Sequence, residues 1–179
     1  MKFFIDTSNK KLILAIINEK NIIVDFSMKD SNNDMVKNTL PFIEKLLKKN
    51  KLKFEDVKEY MFTTGPGSYT GVKVAINIVR SINMVNPIDL VHIINTFDLI
   101  TNGKTKYTAL KVGKNKFYLR NNRIKKIKSI DLIDDKIKAS LTMDYDLFNK
   151  ELLQEKISNN SFKVLDNINK VKINYINKF

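Results

Sequence analysis

At 179 residues with 43% apolar side chains, the chain is long enough to bury a real core in one ordinary domain or two small ones. It has no cysteine and a single histidine, His92, which excludes a disulfide framework, a thiol nucleophile, Cys-based zinc and His-rich metal clusters. The net charge of +13 favours phosphate backbones, yet Lys, Asn and Ile number 29, 22 and 23 against three Arg, a skew that an AT-rich genome imposes on any protein. Only local clustering of charge therefore counts as evidence of a partner.

No stretch approaches the roughly 18 consecutive apolar residues of a membrane span, and Asp6, Lys10 and Lys11 interrupt the apolar N-terminus as a signal segment. A soluble, cytoplasmic protein with no membrane contact is the expectation. In chain order, "KFFID", "KLILAII" and "NIIVDFSM" read as three strands, separated by polar breaks short enough for an antiparallel meander. A helix follows over 34–50, capped by Asn33 or Asp34, with Val36, Leu40, Ile43 and Leu47 on one face and Met35, Thr39, Phe42 and Leu46 on a second. Pro41 inside it predicts a kink near Lys37 or Asn38.

Next, "YMFTT" reads as a strand, "SYTGVKVAINIVRSINMV" as a helix, "DLVHII" as a strand and "NTFDLITN" as a short helix. Strand, helix and strand in alternation imply parallel pairing beside the meander. The order β-β-β-α-β-α-β-α is that of the ribonuclease H-like half-domain of the actin and sugar-kinase superfamily. From Thr105 the pattern restarts with "KYTALKV", "KFYLRN" and "IKKIKSI", followed by a helix in "DYDLFNKELLQEKISN" and a poorly patterned basic tail to Phe179. The chain thus reads as α/β, a duplicated actin-like, ribonuclease H-like fold. Residues 1–103 form the first subdomain, and 104–179 form a shortened, basic second one.

The segment "GPGSYTGVKVA" raises the question of phosphate binding. Five residues separate Gly65 from Gly71 where a Walker A loop has four, and Val72 stands where that loop has Lys. Gly65, Gly67 and Gly71 likewise exceed the dinucleotide fingerprint by one residue. Gly65, Pro66 and Gly67 make a turn, Ser68 can cap the helix behind it, and Gly71 in the first helical turn calls for close approach by another backbone. A helix-launching turn and an anion site both remain open. On the helix, Val72, Ala75, Val79 and Ile82 make one apolar stripe and Val74, Ile78 and Val85 another, so two partners are needed. With the second face of the preceding helix, this suggests a helical subunit interface.

"IDTS", "LPFIEKLL" and above all "GPGSYTGVK" resemble the TsaB family, also called YeaZ, with Lys73 where the family has Arg. The resemblance covers residues 1 to about 97. It implies an actin-like, non-catalytic subunit that supports a TsaD-like transferase in forming threonylcarbamoyladenosine beside the anticodon of tRNAs reading codons that begin with A. The implied interface is helical, comprising Met35, Thr39, Phe42, Leu46, Ser68, Tyr69, Gly71, Val74 and Ile78. A TsaE-like ATPase is a further candidate partner, tRNA is expected through the complex, and the same face could serve a homodimer. The family's second half opens with an acidic strand residue where this chain has Lys111, and the chain is shorter, which implies a reduced second half and no cofactor.

Asp6 and Thr7 resemble the phosphate-side pair of actin-like ATPases, a vestigial nucleotide site without a partner carboxylate from the second half. His92, between apolar strand residues, reads as a hydrogen-bonded structural residue. No acid stands between Asp98 and Asp131, a window that holds Lys104, Lys106, Lys114, Lys116, Arg120, Arg123, Lys125 and Lys126 as candidate tRNA contacts. Tyr107, Phe117 and Tyr118 could stack on bases or pack the sheet. The competing functions are a free-standing ATPase or small-molecule kinase of the same superfamily, and a plain RNA-binding module.

Overall fold

The structure is a computed structural model that describes residues 1–31, 34–113, 116–138 and 140–174. Strands β1 (Lys2–Asp6), β2 (Lys11–Ile17) and β3 (Ile23–Asp30) pair as an antiparallel meander. Helix α1 (Met35–Lys49) follows, then β4 (Glu59–Thr63), α2 (Tyr69–Val85), β5 (Leu90–Ile94) and the short α3 (Thr96–Ile100). β4 pairs in parallel with β1, and β5 with β4, so the expected β-β-β-α-β-α-β-α order is the observed one.

β1 and β2 are apolar at successive positions because both faces of their sheet are covered. Phe3, Ile5, Leu12, Leu14, Tyr60 and Phe62 face α1 and α2, whereas Phe4, Ile13, Ala15 and Met61 face α3 and the C-terminal segment.

Asp34 caps α1 by accepting from the Lys37 N–H at 3.0 Å; the alternative cap, Asn33, lies outside the described residues. The helix runs unbroken through Pro41, so the expected kink near Lys37 or Asn38 does not interrupt it. Its core face is Thr39, Ile43, Leu46 and Leu47, while Val36 and Leu40, assigned to one apolar stripe by sequence, are exposed. Thr39 takes the buried place because its hydroxyl donates to the Met35 carbonyl at 2.6 Å and carries no unpaired proton inside. A count of apolar letters misses this.

The second sheet contains β6 (Tyr107–Gly113), β7 (Lys116–Asn121), β8 (Ile127–Ile130) and β9 (Leu141–Met143), in the order β8-β7-β6-β9. The short α4 (Asp135–Lys138) precedes β9. The helix expected from Asp144 begins only with α5 (Lys150–Ser158), where Asn149 accepts from the Leu152 N–H at 2.9 Å; before it, Tyr145 and Phe148 insert into the core as part of a turn. β10 (Lys163–Leu165) then pairs antiparallel with β5.

The second sheet does begin beyond Gly103, but α5 and β10 return to the first. Leu152, Leu153 and Ile157 pack with Phe4 and Ile13, and β10 makes the first sheet six-stranded, β10-β5-β4-β1-β2-β3. Ile168 and Val171 continue onto the α1/α2 side, and the Asn174 N–H donates to the Thr64 carbonyl at 2.8 Å.

Candidate functional site

The glycine turn joins β4 to α2 beside the β1–β2 turn and is bonded to it. The Ser68 N–H donates to the Ser8 carbonyl at 2.7 Å, and the Gly71 N–H donates to Ser68 Oγ at 3.1 Å, which caps α2. Thr7 Oγ1 donates to the Gly71 carbonyl at 2.6 Å. A Cβ at Gly71 would overlap the Thr7 carbonyl oxygen, and one at Gly67 would overlap that of Ser8. Gly65 has φ +90, the left-handed region that favours glycine, and is followed by a cis bond to Pro66. The turn thus launches α2 and is locked onto its own chain at Ser8 and Thr7, while Gly67 and Ser68 also line an open cleft. Gly71, expected at a partner surface, is buried, and the close approach it permits is made by Thr7.

Asp6 is fully engaged in the same way. Its Oδ1 accepts from the Ser8 N–H at 2.8 Å and from Thr63 Oγ1 at 2.7 Å, and its Oδ2 accepts from the Tyr145 hydroxyl. Tyr145 also pairs with Ser8 Oγ at 2.9 Å. Burial raises the Tyr145 phenol well above its ordinary range, and the Asp6 carboxylate adds to the shift, so this hydroxyl stays a proton donor.

Beyond this wall opens a cleft of about 810 Å³ between the two halves, lined on one side by Thr7, Ser8, Lys10, Gly67 and Ser68 and on the other by Leu110, Lys111 and Asp144. A second-half carboxylate, absent from the sequence-based expectation, is thus present. Asp144 Oδ1 accepts from the Lys111 N–H at 2.7 Å; burial pushes its carboxyl up, with Asp146 contributing, against the opposing pull of Lys111. Lys111 also lines the cleft, at the position where an acid was expected from the resemblance. Among the described residues there is no group of three or more His, Asp or Glu side chains arranged to hold a metal ion.

The expected partner surface divides by burial. Thr39 and Leu46 belong to the core with Gly71, while Met35, Phe42, Val74 and Ile78 are half-buried at its margin and Ser68 and Tyr69 are exposed. The outward side carries further apolar groups, Val36 at 62% exposure and Leu40 at 42%, close in exposure to Tyr69 at 53%. Lys73 stacks on the Tyr69 ring and bonds its hydroxyl.

Of the candidate tRNA contacts, Lys114 lies outside the described residues. Arg120 is not a surface residue: its guanidinium is buried, donates to Asp98 Oδ1 at 2.8 Å and lies over the Phe97 ring. Asp98 also pairs with Lys125 at 3.0 Å. Burial raises the Asp98 carboxyl, but Arg120 and Lys125 together outweigh it and hold it below the usual carboxylate range. Lys104, Lys106, Arg123 and Lys126 are exposed near one end of the second sheet; Lys116 is exposed at the other, where β7 begins. Tyr107, Phe117 and Tyr118 pack against the sheet's apolar clusters.

The profile of the family described as TsaD: tRNA N6-adenosine threonylcarbamoyltransferase matches residues 29–161. The Bacillus subtilis tRNA threonylcarbamoyladenosine biosynthesis protein TsaB is 29% identical over 102 residues, covering 56% of this chain and 43% of that protein. The chain belongs to the TsaB/YeaZ family. An uncharacterized protein of Mycoplasma pneumoniae is 36% identical over 87 residues, 48% of this chain and 44% of the relative. The TsaB of Buchnera aphidicola is 28% identical over 151 residues, 75% of this chain and 71% of that protein. The chain thus matches less than half the length of the Mycoplasma and Bacillus relatives. The structure of YeaZ from Pseudomonas aeruginosa aligns with a TM-score of 0.57 at 17% identity, over 72% of this chain and 63% of that one, a likeness of fold.

In this TsaB/YeaZ-family chain, sequence reasoning missed the two residues from the β9–α5 turn, Asp144 and Tyr145. The signal was present as "TMDYD", but the strand before it has three residues, too few to show alternation. His92 is tied as expected: its Nε2 lies 2.5 Å from Glu59 Oε2, which also pairs with Lys2 at 3.0 Å.

Proposed function

We propose that this chain is a non-catalytic subunit that supports a TsaD-type enzyme in forming threonylcarbamoyladenosine in tRNA, docking through the outward side of α1 and α2. The observation that carries the reading is the fate of Asp6. Among the described residues its bonds go to Ser8, Thr63 and Tyr145, so the carboxylate that resembles a phosphate-side ligand serves as a structural clamp. The exposed apolar groups Val36, Leu40 and Tyr69 beside half-buried Val74 and Ile78 fit a helical partner. The same side could pair two copies of the chain, and a TsaE-like ATPase is a further candidate partner.

The test is co-purification from the native cell with nucleoside analysis after depletion. A TsaD-type protein bound to the chain and loss of the modification on depletion are expected; loss of the modification with no such partner breaks the reading. The cleft with Lys111 and Asp144 favours a second reading, a free-standing ATPase or kinase. Calorimetry with ATP and Mg²⁺ separates the two, since tight binding with turnover by the isolated chain supports only the second.

A further inference from the structure

The cations of the acid-free window do not lie along one face; most of them converge. Asn122 ties two segments together, its N–H donating to the Lys106 carbonyl and its Nδ2 to the Thr105 carbonyl, each at 2.9 Å. The Asn121 N–H donates to the Lys126 carbonyl at 3.0 Å and closes the turn that presents Arg123, Lys125 and Lys126 beside Lys104 and Lys106. From α5, Lys156 reaches the same end and donates to the Thr101 carbonyl at 2.6 Å. Burial lowers its ammonium from the ordinary range, and Lys125 and Arg120 add to that shift against Glu155 and Asp98.

Two acids stand by this cluster, Glu155 next to Lys156 on α5 and Asp98, and Asp98 is consumed by Arg120 and Lys125. Among the described residues, no carboxylate pairs with Lys104, Lys106, Arg123 or Lys126. The buried Arg120 thereby acts as a prop, neutralising the local acid so that the outer cations keep their field. We propose that this end of the second sheet, Lys104, Lys106, Arg123 and Lys126 around the Asp98–Arg120 pair, is a docking surface for the phosphodiester backbone of RNA. It rests on the tRNA-modification reading above only for the choice of tRNA as the RNA.

A protein partner is disfavoured because such interfaces are anchored by buried aromatic or aliphatic groups. Here Tyr107, Phe117 and Tyr118 are turned into the sheet's apolar clusters, and Ile124 stands as an isolated exposed apolar group in the turn. A succession of exposed cations that no carboxylate pairs, with Lys106 lying over the Tyr107 ring, fits repeated phosphates, whose binding is driven by counterion release.

The test compares the full chain with the quadruple variant Lys104→Glu/Lys106→Glu/Arg123→Glu/Lys126→Glu and with Lys116→Glu, by fluorescence anisotropy of labelled tRNA over a series of KCl concentrations. Thermal melts check that each is folded, and Lys126→Glu alone serves should the quadruple variant melt early. The quadruple variant is expected to weaken binding at least about 10-fold and to flatten the slope of log affinity against log salt by about 3, with about 0.8 for the single variant. Lys116→Glu should change neither. Unchanged affinity and slope in the charge-reversed variants overturn the proposal. So does a wild-type chain that leaves tRNA unbound, or one that binds phosphatidylserine vesicles or an acidic peptide in its place. Because the isolated chain is used, these failures are distinct from failure to co-purify with a TsaD-type protein.

Discussion

The two walls of the cleft differ in how much freedom their polar groups retain. On the first wall Asp6, Thr7, Ser8 and Ser68 bond one another, Gly71 or Tyr145, and two glycines are held where a Cβ would strike backbone. On the second, Asp144 accepts a bond from the Lys111 backbone and the Lys111 side chain is exposed to the cleft. The first wall has turned a ligand-like constellation into a fastening for α2, the helix that carries Tyr69, Val74 and Ile78. Its carboxylate is spent on geometry, while Lys111 and Asp144 of the second wall line the opening.

Gly71→Leu should break this contrast most strongly. The new Cβ meets a backbone oxygen that no rotamer change can move, so the loss should reach about 4 kcal/mol, near the top of the range for single substitutions. For a chain of this size that corresponds to a melting midpoint lower by roughly 10 °C. Partner binding should fall in parallel with the fold, because the space at Gly71 is used internally; selective loss of partner binding from a chain that melts normally would return Gly71 to the interface.

Tyr145→Phe comes next. It removes the hydroxyl that bridges Asp6 and Ser8 and leaves a buried carboxylate oxygen short of a donor, which costs about 1–3 kcal/mol in chemical denaturation. On the opposite wall, Asp144→Asn should leave stability at neutral pH unchanged or raise it slightly, since its carboxyl is pushed up by burial. A raised folded pKa means that stability is fully present below the unfolded value, about 3.9, and is lost as pH rises through the folded one. The Asn variant should lack that loss in a pH series of thermal melts. Destabilisation at neutral pH as large as that of Tyr145→Phe would erase the difference between the walls.

Asp98 has the opposite sign and a smaller effect. With its carboxyl held down by Arg120 and Lys125, its contribution is present above about 3.9 and lost as pH falls through the lowered folded value. Asp98→Asn should therefore lower stability modestly at neutral pH, where the pair's contribution is present, and flatten the acid limb of the stability profile. An unchanged acid limb would argue that the pair contributes nothing there.

Much of the first half was legible in the sequence because its elements are long and periodic, and because glycine has few reasons to stand in the first turn of a helix. Gly71 announced a close backbone approach correctly in kind; that the approaching backbone belongs to Thr7, 64 residues earlier, is a fact of topology that spacing does not encode. Thr39 was hidden in the core by a hydroxyl bonded within its own helix. The acid-free window was acid-free only along the chain: Asp98, on its boundary, folds against Arg120 and removes that residue from the surface. β9 and β10 have three residues each, so the return of the C-terminal segment to the first sheet left no pattern to read.

The most direct test of the partner role is reconstituted threonylcarbamoyladenosine synthesis by the TsaD-type enzyme of the same cell, with the wild-type chain or with Leu40→Glu/Tyr69→Glu. Both replaced side chains are exposed, so the variant should melt like the wild type. The account predicts that the modification forms with the wild-type chain and falls to the level of the enzyme alone with the folded variant. Full synthesis with the variant, or by the enzyme with no chain added, would contradict it.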